Sequence, residues 1–219
     1  DPTRPVKKAL ITHGHSDHAR AGHGAVLATQ ETLDIMRLRY GDNFAGSTQV
    51  VSYGETVKLD GVTVSFHPAG HVLGSAQIRV ECNGLRGVAS GDYKDVADPT
   101  FTPFELIPCD VFITEATFGL PVFRHHDAEG EIAKLLRSVE LFPERAHLVG
   151  AYSLGKAQRV IALLPTSLEH RIAPVALGGR GEHDRAPVPD RVGHRQRVGE
   201  LEGVPVRRVV GLVAAQAGD

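Results

Sequence analysis

Tryptophan is absent from this sequence, and cysteine occurs only twice, at Cys82 and Cys109. One pair is too few for a disulfide framework, and neither cysteine has a C-x-x-C partner. Both are expected as buried or half-buried thiols in a reducing cytoplasm. No apolar run approaches the roughly 20 residues that a bilayer-spanning helix needs, which argues against a membrane span. Neither sign of charge dominates: 24 Lys and Arg face 26 Asp and Glu, for a net charge of −2. A bulk polycation is therefore excluded, and an anionic polymer would have to be held at a local site. The opening Asp1-Pro2-Thr3-Arg4-Pro5 has neither the apolar stretch nor the small-residue cleavage site of a signal peptide. It also lacks an initiating Met, so the natural N-terminus is expected upstream.

What is present is an ordinary apolar content of 42% and as many as 12 histidines in 219 residues. The length fits one large domain, or one domain with a fragment of another. Ala9–Thr12 is a short apolar run that predicts a buried strand entering a loop, with a short helix following over Asp17–Ala21. Ala25–Thr29 predicts a strand, and Gln30–Tyr40, stopped by Gly41, predicts a helix. Gln49–Tyr53, Glu55–Leu59 and Val62–Phe66 are β-rich runs, the last two joined at Asp60-Gly61, a strong hairpin signal. Ser75–Cys82 and Gly87–Ser90 form a second expected hairpin around Asn83-Gly84. Val111–Thr114 is expected as a buried strand. Ile132, Leu135, Leu136 and Val139 share one face of a helix over Glu131–Val139. A strand over His147–Tyr152 and a helix over Gly155–Leu164 complete the pattern, which is that of a layered α/β protein.

The decisive segment is Thr12-His13-Gly14-His15-Ser16-Asp17-His18. It places three imidazoles and a carboxylate within six positions, just after an apolar strand. Imidazole with carboxylate suits Zn²⁺ or another first-row metal, and four such ligands so close together suggest two adjacent ions. One segment cannot complete two sites, so further ligands must come from other strand ends. His71, in Pro68-Ala69-Gly70-His71, and Asp92, in Ser90-Gly91-Asp92-Tyr93, each follow an apolar strand and a glycine. A carboxylate at Asp92 can bridge two metals. Each would pass for a turn residue alone, and gains weight from the first motif. His23 is expected as structural or superficial, His67 as packed or in support of His71, and His125-His126 as a solvated loop before an Asp127 helix cap. Gly155-Lys156-Ala157-Gln158-Arg159 opens a helix, so its backbone N–H groups, Lys156 and Arg159 are candidates to meet phosphate. It lacks full P-loop spacing, so ATP is not indicated, and solvated cations are the plain alternative for Lys156 and Arg159.

The order H-x-H-x-D-H, Gly-His, Gly-Asp resembles the metallo-β-lactamase superfamily. His71-Val72-Leu73-Gly74-Ser75-Ala76, Ser90-Gly91-Asp92-Tyr93-Lys94 and Thr114-Glu115-Ala116-Thr117-Phe118-Gly119 resemble its β-CASP nuclease branch. Asp1-Pro2 with Arg4-Pro5, Phe118-Gly119-Leu120-Pro121 and Tyr152–Arg159 are similar to the bacterial ligase-associated DNA exonucleases, a group also described as mRNA 3′-end processing factors. The resemblance covers about residues 1–164. It implies an α/β fold of the αββα sandwich type, incomplete here, with a core over residues 1–120. The start of a β-CASP cap domain then occupies 121–164.

The resemblance also implies roles. His13, His15 and His71 would hold a first zinc, Asp17 and His18 a second, and Asp92 would bridge them. Glu115 matches the branch's first acidic motif and is expected beside the ligands, orienting a ligand or the phosphate. A di-zinc-activated hydroxide would then attack a phosphodiester in line. No Gly-x-Ser-x-Gly elbow supports a serine nucleophile instead. The implied partner is nucleic acid, DNA ahead of RNA, in a DNA-ligase or repair setting, in the cytoplasm and without a membrane.

Residues 165–219 depart from the pattern. They are rich in Arg, Gly, Val and Pro and show little periodicity. Family members continue through the cap and return with a late histidine that completes the second zinc. His170, His183 and His194 lie in no such motif. The chain is therefore expected to be truncated, with 165–219 an atypical tail, either disordered or the product of a shifted reading frame. Intact-mass spectrometry against a resequenced gene would test that hypothesis, and an intact reading frame would sink it. Three alternatives to a DNA exonuclease stay open: an RNA-processing nuclease of the same branch, a thioester or lactone hydrolase, and a non-catalytic metal-binding product. The thioester and lactone enzymes share H-x-H-x-D-H but are not expected to carry the Glu115 segment or Tyr152–Arg159.

Overall fold

The computed structural model describes residues 4–124, 127–165, 172–176 and 210–215. The chain divides into two compact units. The first runs to His126 and takes in Tyr152–Leu163, and the second holds Asp127–Ala151 and Leu164–Ala215.

The first unit contains two sheets. Strands β1 (Lys8–Leu10), β2 (His23–Ala28) and β3 (Ala45–Val50) form a parallel sheet in that order. Helix α1 (Gln30–Tyr40) crosses between β2 and β3, and both of its ends fall where the sequence predicts. Thr29 is extended and its side chain accepts from the Thr32 N–H, while Gly41 leaves the helical region and returns its N–H to the Arg37 carbonyl. Strands β4 (Thr56–Leu59), β5 (Val62–Pro68), β6 (Ala76–Cys82), β7 (Leu85–Ala89) and β8 (Val111–Ile113) form a second sheet, again in chain order. Both predicted hairpins are present, and Asp60 and Asn83 take the positive φ their tight turns require.

Strand β2 is buried on both faces over Val26, Leu27 and Ala28, which is why it is apolar on both there. Val26 and Ala28 join Ala9, Ile11, Leu33, Met36 and Phe44 in a cluster under α1. Leu27 points the other way, into a second cluster with Val51, just past β3, and with Val64, Phe66, Ala76 and Ile78 from the second sheet. The unit is thus layered as helix, sheet, sheet. Burying each large side chain in these clusters contributes about 1.5–3 kcal/mol.

Four expectations need correction. Asp17–Ala21 is not a helix but a single turn, closed by His18 and Ala19 N–H groups on the His15 carbonyl. That turn brings the His18 ring back beside His13, with Asp17 next to His18. The strand expected at Gln49–Tyr53 lies earlier, at Ala45–Val50, because pairing with β2 overrides the weak β-propensity of Ala-Gly-Ser. Strand β8 is exposed at all three residues, since it stands at the end of its sheet with only β7 beside it among the described strands. Cys82 is exposed, at the end of β6 next to the Asn83 turn, whereas Cys109 is half-buried as expected.

The second unit holds α2 (Ala128–Leu141), β9 (His147–Tyr152), β10 (Ile172–Ala176) and β11 (Val210–Ala215). The three strands make a sheet in the order β10-β11-β9. Asp127 caps α2 by accepting from the Gly130 N–H at 2.8 Å. Ile132, Leu135 and Leu136 are half-buried and Val139 buried, so the predicted apolar face is real. Helix α3 (Lys156–Leu163) belongs to the first unit. Apart from β10 and β11, the expectation of an atypical tail lies outside the described residues, as do His125, His126, His170, His183 and His194. Among the described residues no helix is long and apolar enough to cross a membrane.

Candidate metal centre

The loops after β1, β5 and β7 bring His13, His15, His71 and Asp92 together. One ligand atom from each lies within 4.8 Å of all the others. His13 Nε2 is 3.0 Å from His15 Nδ1, and His71 Nε2 is 3.2 Å from the same atom. Asp92 Oδ2 stands 3.7 Å from His13 Nε2 and 3.5 Å from His71 Nε2. The other Asp92 oxygen, Oδ1, lies 3.4 Å from His18 Nε2, which in turn is 3.6 Å from Asp17 Oδ2. Asp92 therefore presents one oxygen to a three-histidine group and the other to an Asp17–His18 pair.

The outward-facing ring nitrogens of His13 and His15 are held by the protein. His15 Nε2 donates to the Leu154 carbonyl at 3.2 Å, so its proton sits there and Nδ1 carries the lone pair that faces His13 and His71. His13 Nδ1 lies 3.1 Å from Thr12 Oγ1. The His71 backbone is fixed by Ser75, whose Oγ accepts from the N–H groups of His71 and Val72.

Burial pushes the His13 pKa down to about 2, helped by the charges of His18, His71 and His15. It pushes His71 down to about 4, with Lys156 among the smaller contributors. Burial also raises Asp92, and Glu115 and Asp17 add to this against His18 and His15. An imidazole must be neutral to ligate a metal. Inward-facing nitrogens with a shared carboxylate, outer nitrogens tied back, and a mixed N/O donor set fit a divalent first-row ion.

Two glycines let the loops approach. Gly70 (φ 67°) and Gly91 (φ 57°) occupy the left-handed region. A Cβ at Gly91 would stand 2.7 Å from Thr12 Cβ, and one at Gly70 would strike the Lys94 carbonyl.

The other sequence candidates separate. Half-buried Glu115 comes just after β8 and accepts from the Thr117 N–H at 2.7 Å, near enough for its charge to raise both Asp92 and His71. Exposed Lys156 lies over the Tyr152 ring at 4.6 Å. Half-buried Arg159 sets its Nε 3.0 Å from Asp98 Oδ2, giving the buried Asp98 carboxylate a cation. His23 is a buried structural residue whose Nδ1 accepts from the Val6 N–H. His67 sits between Ser65 and Glu105. The supporting groups Thr12, Ser75, Asp98 and the Leu154 carbonyl escape a reading of the sequence for their roles. Ser75 and Leu154 lie inside motif segments, but a serine there reads as a turn residue, and a main-chain carbonyl leaves no mark on residue type.

No family model matches the chain. It is 32% identical over 186 residues to a probable DNA ligase of Opitutus terrae, a match covering 79% of this chain and 17% of that protein. It is 27% identical over 198 residues to endoribonuclease YSH1 of Eremothecium gossypii, covering 73% of this chain and 26% of that one. In backbone it is similar to a protein of unknown function from Enterococcus faecalis V583, with a TM-score of 0.50 and 14% identity over 96% of this chain and 59% of that one. That last likeness is one of fold alone. With its layered sheets and its converging histidines, the chain belongs to the metallo-β-lactamase superfamily and, within it, to the β-CASP branch. It spans about a sixth to a quarter of the length of these curated relatives.

Proposed function

We propose that the chain carries the metal centre of a zinc-dependent phosphodiester hydrolase, a nuclease that trims DNA ends in repair. The observation that carries this reading is Asp92, whose two oxygens face two separate groups of ligand-type side chains, His13–His15–His71 and Asp17–His18. Divalent ions, when bound, supply Lewis acidity that offsets charge on phosphoryl oxygens and lowers the pKa of water.

The chain's own residues do the rest. His13, His15 and His71 supply one set of donors, with their orientation set by Thr12, Leu154 and Ser75. Asp17 and His18 supply the second set on a more open side, where a phosphodiester has room to approach. Glu115 adds negative charge beside Asp92 and His71, which favours cations in the site. Lys156, exposed and near enough for its charge to act on His71, would neutralise a substrate phosphate in this reading. DNA over RNA is supported by the relative named as a probable DNA ligase, and a repair role in the cytoplasm goes with it. A second reading, an RNA-processing nuclease, is supported by the relative named endoribonuclease YSH1.

The test combines elemental analysis of the untagged chain with digestion of end-labelled single- and double-stranded DNA and RNA. Bound zinc, with cleavage that is lost in Asp92→Ala, is the expected result, and the preferred polymer decides between the two readings. Zinc without cleavage of any polymer would leave a metal-binding product and sink the nuclease reading for this chain.

A further inference from the structure

The Asp98 carboxylate is one of the most buried charged groups among the described residues, with a side chain only 1% exposed, and it is not one of the converging ligands. Its Oδ2 is 3.0 Å from Lys94 Nζ and 3.0 Å from Arg159 Nε. Its Oδ1 accepts from the Thr100 hydroxyl at 2.6 Å and the Thr100 N–H at 3.1 Å.

Each cation leads back to the metal centre by a short path. Lys94 is two residues beyond Asp92, and its N–H donates to the Ala69 carbonyl, two residues before His71. Arg159 sits on α3. The turn that starts α3 offers the Leu154 carbonyl to His15, and its Gly155 lies against Val72, the neighbour of His71. One buried anion thus joins the Asp92 loop to the helix whose entry fixes His15 and abuts the His71 loop. Withdrawing it leaves two cations facing each other across the space it filled, and the loops have no other ionic tie to α3 among the described residues.

We propose that Asp98 is a positioning residue for the metal centre, holding Asp92, His71 and His15 in mutual register through Lys94 and Arg159. The proposal rests on the metal-binding reading above. Its test measures zinc affinity of the whole chain by competition with a chromophoric chelator, alongside thermal melting, for the parent, Asp98→Asn, Arg159→Gln and Leu33→Ala. Leu33→Ala opens the apolar cluster under α1, which contains none of the candidate ligands and not Asp98, and reports what lost stability alone does. The expected result is zinc affinity lowered about 10- to 100-fold in Asp98→Asn, the usual effect of removing a group that orients metal ligands. A smaller loss is expected in Arg159→Gln, which keeps Lys94 and Thr100 on Asp98. Leu33→Ala should melt earlier with its zinc affinity unchanged. Parent-like affinity in a folded Asp98→Asn would overturn the proposal, as would an equal loss in Leu33→Ala. Should Asp98→Asn not fold, Arg159→Gln decides by the same criterion. A parent that binds no zinc would instead remove the metal-binding reading itself, so the two failures are told apart.

Discussion

The two halves of the site are built differently. His13 is fully buried and His71 is 26% exposed, and the histidines on that side are tied back by a hydroxyl, a carbonyl and a serine-pinned loop. On the other side Asp17 is 66% exposed and His18 31% exposed, and their contacts are to each other, to Asp92 and to the His13 ring. The first half is set by packing before any ligand arrives. The second consists of side chains that still have rotamers to choose, and so loses more entropy when it is ordered. The sides should therefore differ in affinity for metal, with the three-histidine side the tighter.

The sharpest way to break this comparison is His13→Ala. It removes a direct donor from the fixed side, and zinc affinity measured by chelator competition should fall by more than the roughly 100-fold limit of an outer-partner loss. Asp17→Asn should leave the tighter equivalent of zinc in place and shed the weaker one on dialysis, as read by elemental analysis. If Asp17→Asn lost both, the two halves would be one cooperative unit. Thr12→Val keeps the shape beside His13 but removes its hydroxyl, and should lower affinity by about 10-fold.

Acid sharpens the contrast between buried and exposed charge. Burial alone would raise Asp98, but hydrogen bonds from Thr100 and Lys94 outweigh it and hold the carboxyl below its ordinary 3.8. A carboxyl whose folded pKa is depressed adds stability that is full above 3.8 and is lost as pH falls through the folded value. Urea melts of the metal-free chain should accordingly weaken below pH 3.8, and Asp98→Asn should flatten that limb. The smallest effect belongs to the exposed Lys8–Asp60 pair, where Lys8→Ala should change stability by less than about 1 kcal/mol in the same melts.

Much of this is legible in the residues themselves. H-x-H-x-D-H, the strand-end glycines before His71 and Asp92, and the Asp-Gly and Asn-Gly turns are local signals, because a short stretch fixes both the backbone and the chemistry. Thr29 and Gly41 mark α1 for the same reason. What stays hidden depends on partners far along the chain. Nothing within ten residues of Asp98 announces Arg159, and nothing near His15 announces the Leu154 carbonyl. The apolar run at β8 looks like a core strand because propensity records side-chain type, not whether anything lies against it. Arg159 reads from the sequence only as a cation near a helix start, because residue type does not say whether a buried carboxylate lies beside it.

Gly70 and Gly91 offer no donor atom and touch no charge, yet each stands where a single methyl group would collide with a neighbouring loop. A saturation scan of this segment would therefore show two silent positions as intolerant as the histidines themselves. Selection on the chemistry would be recorded there as selection on handedness and empty space.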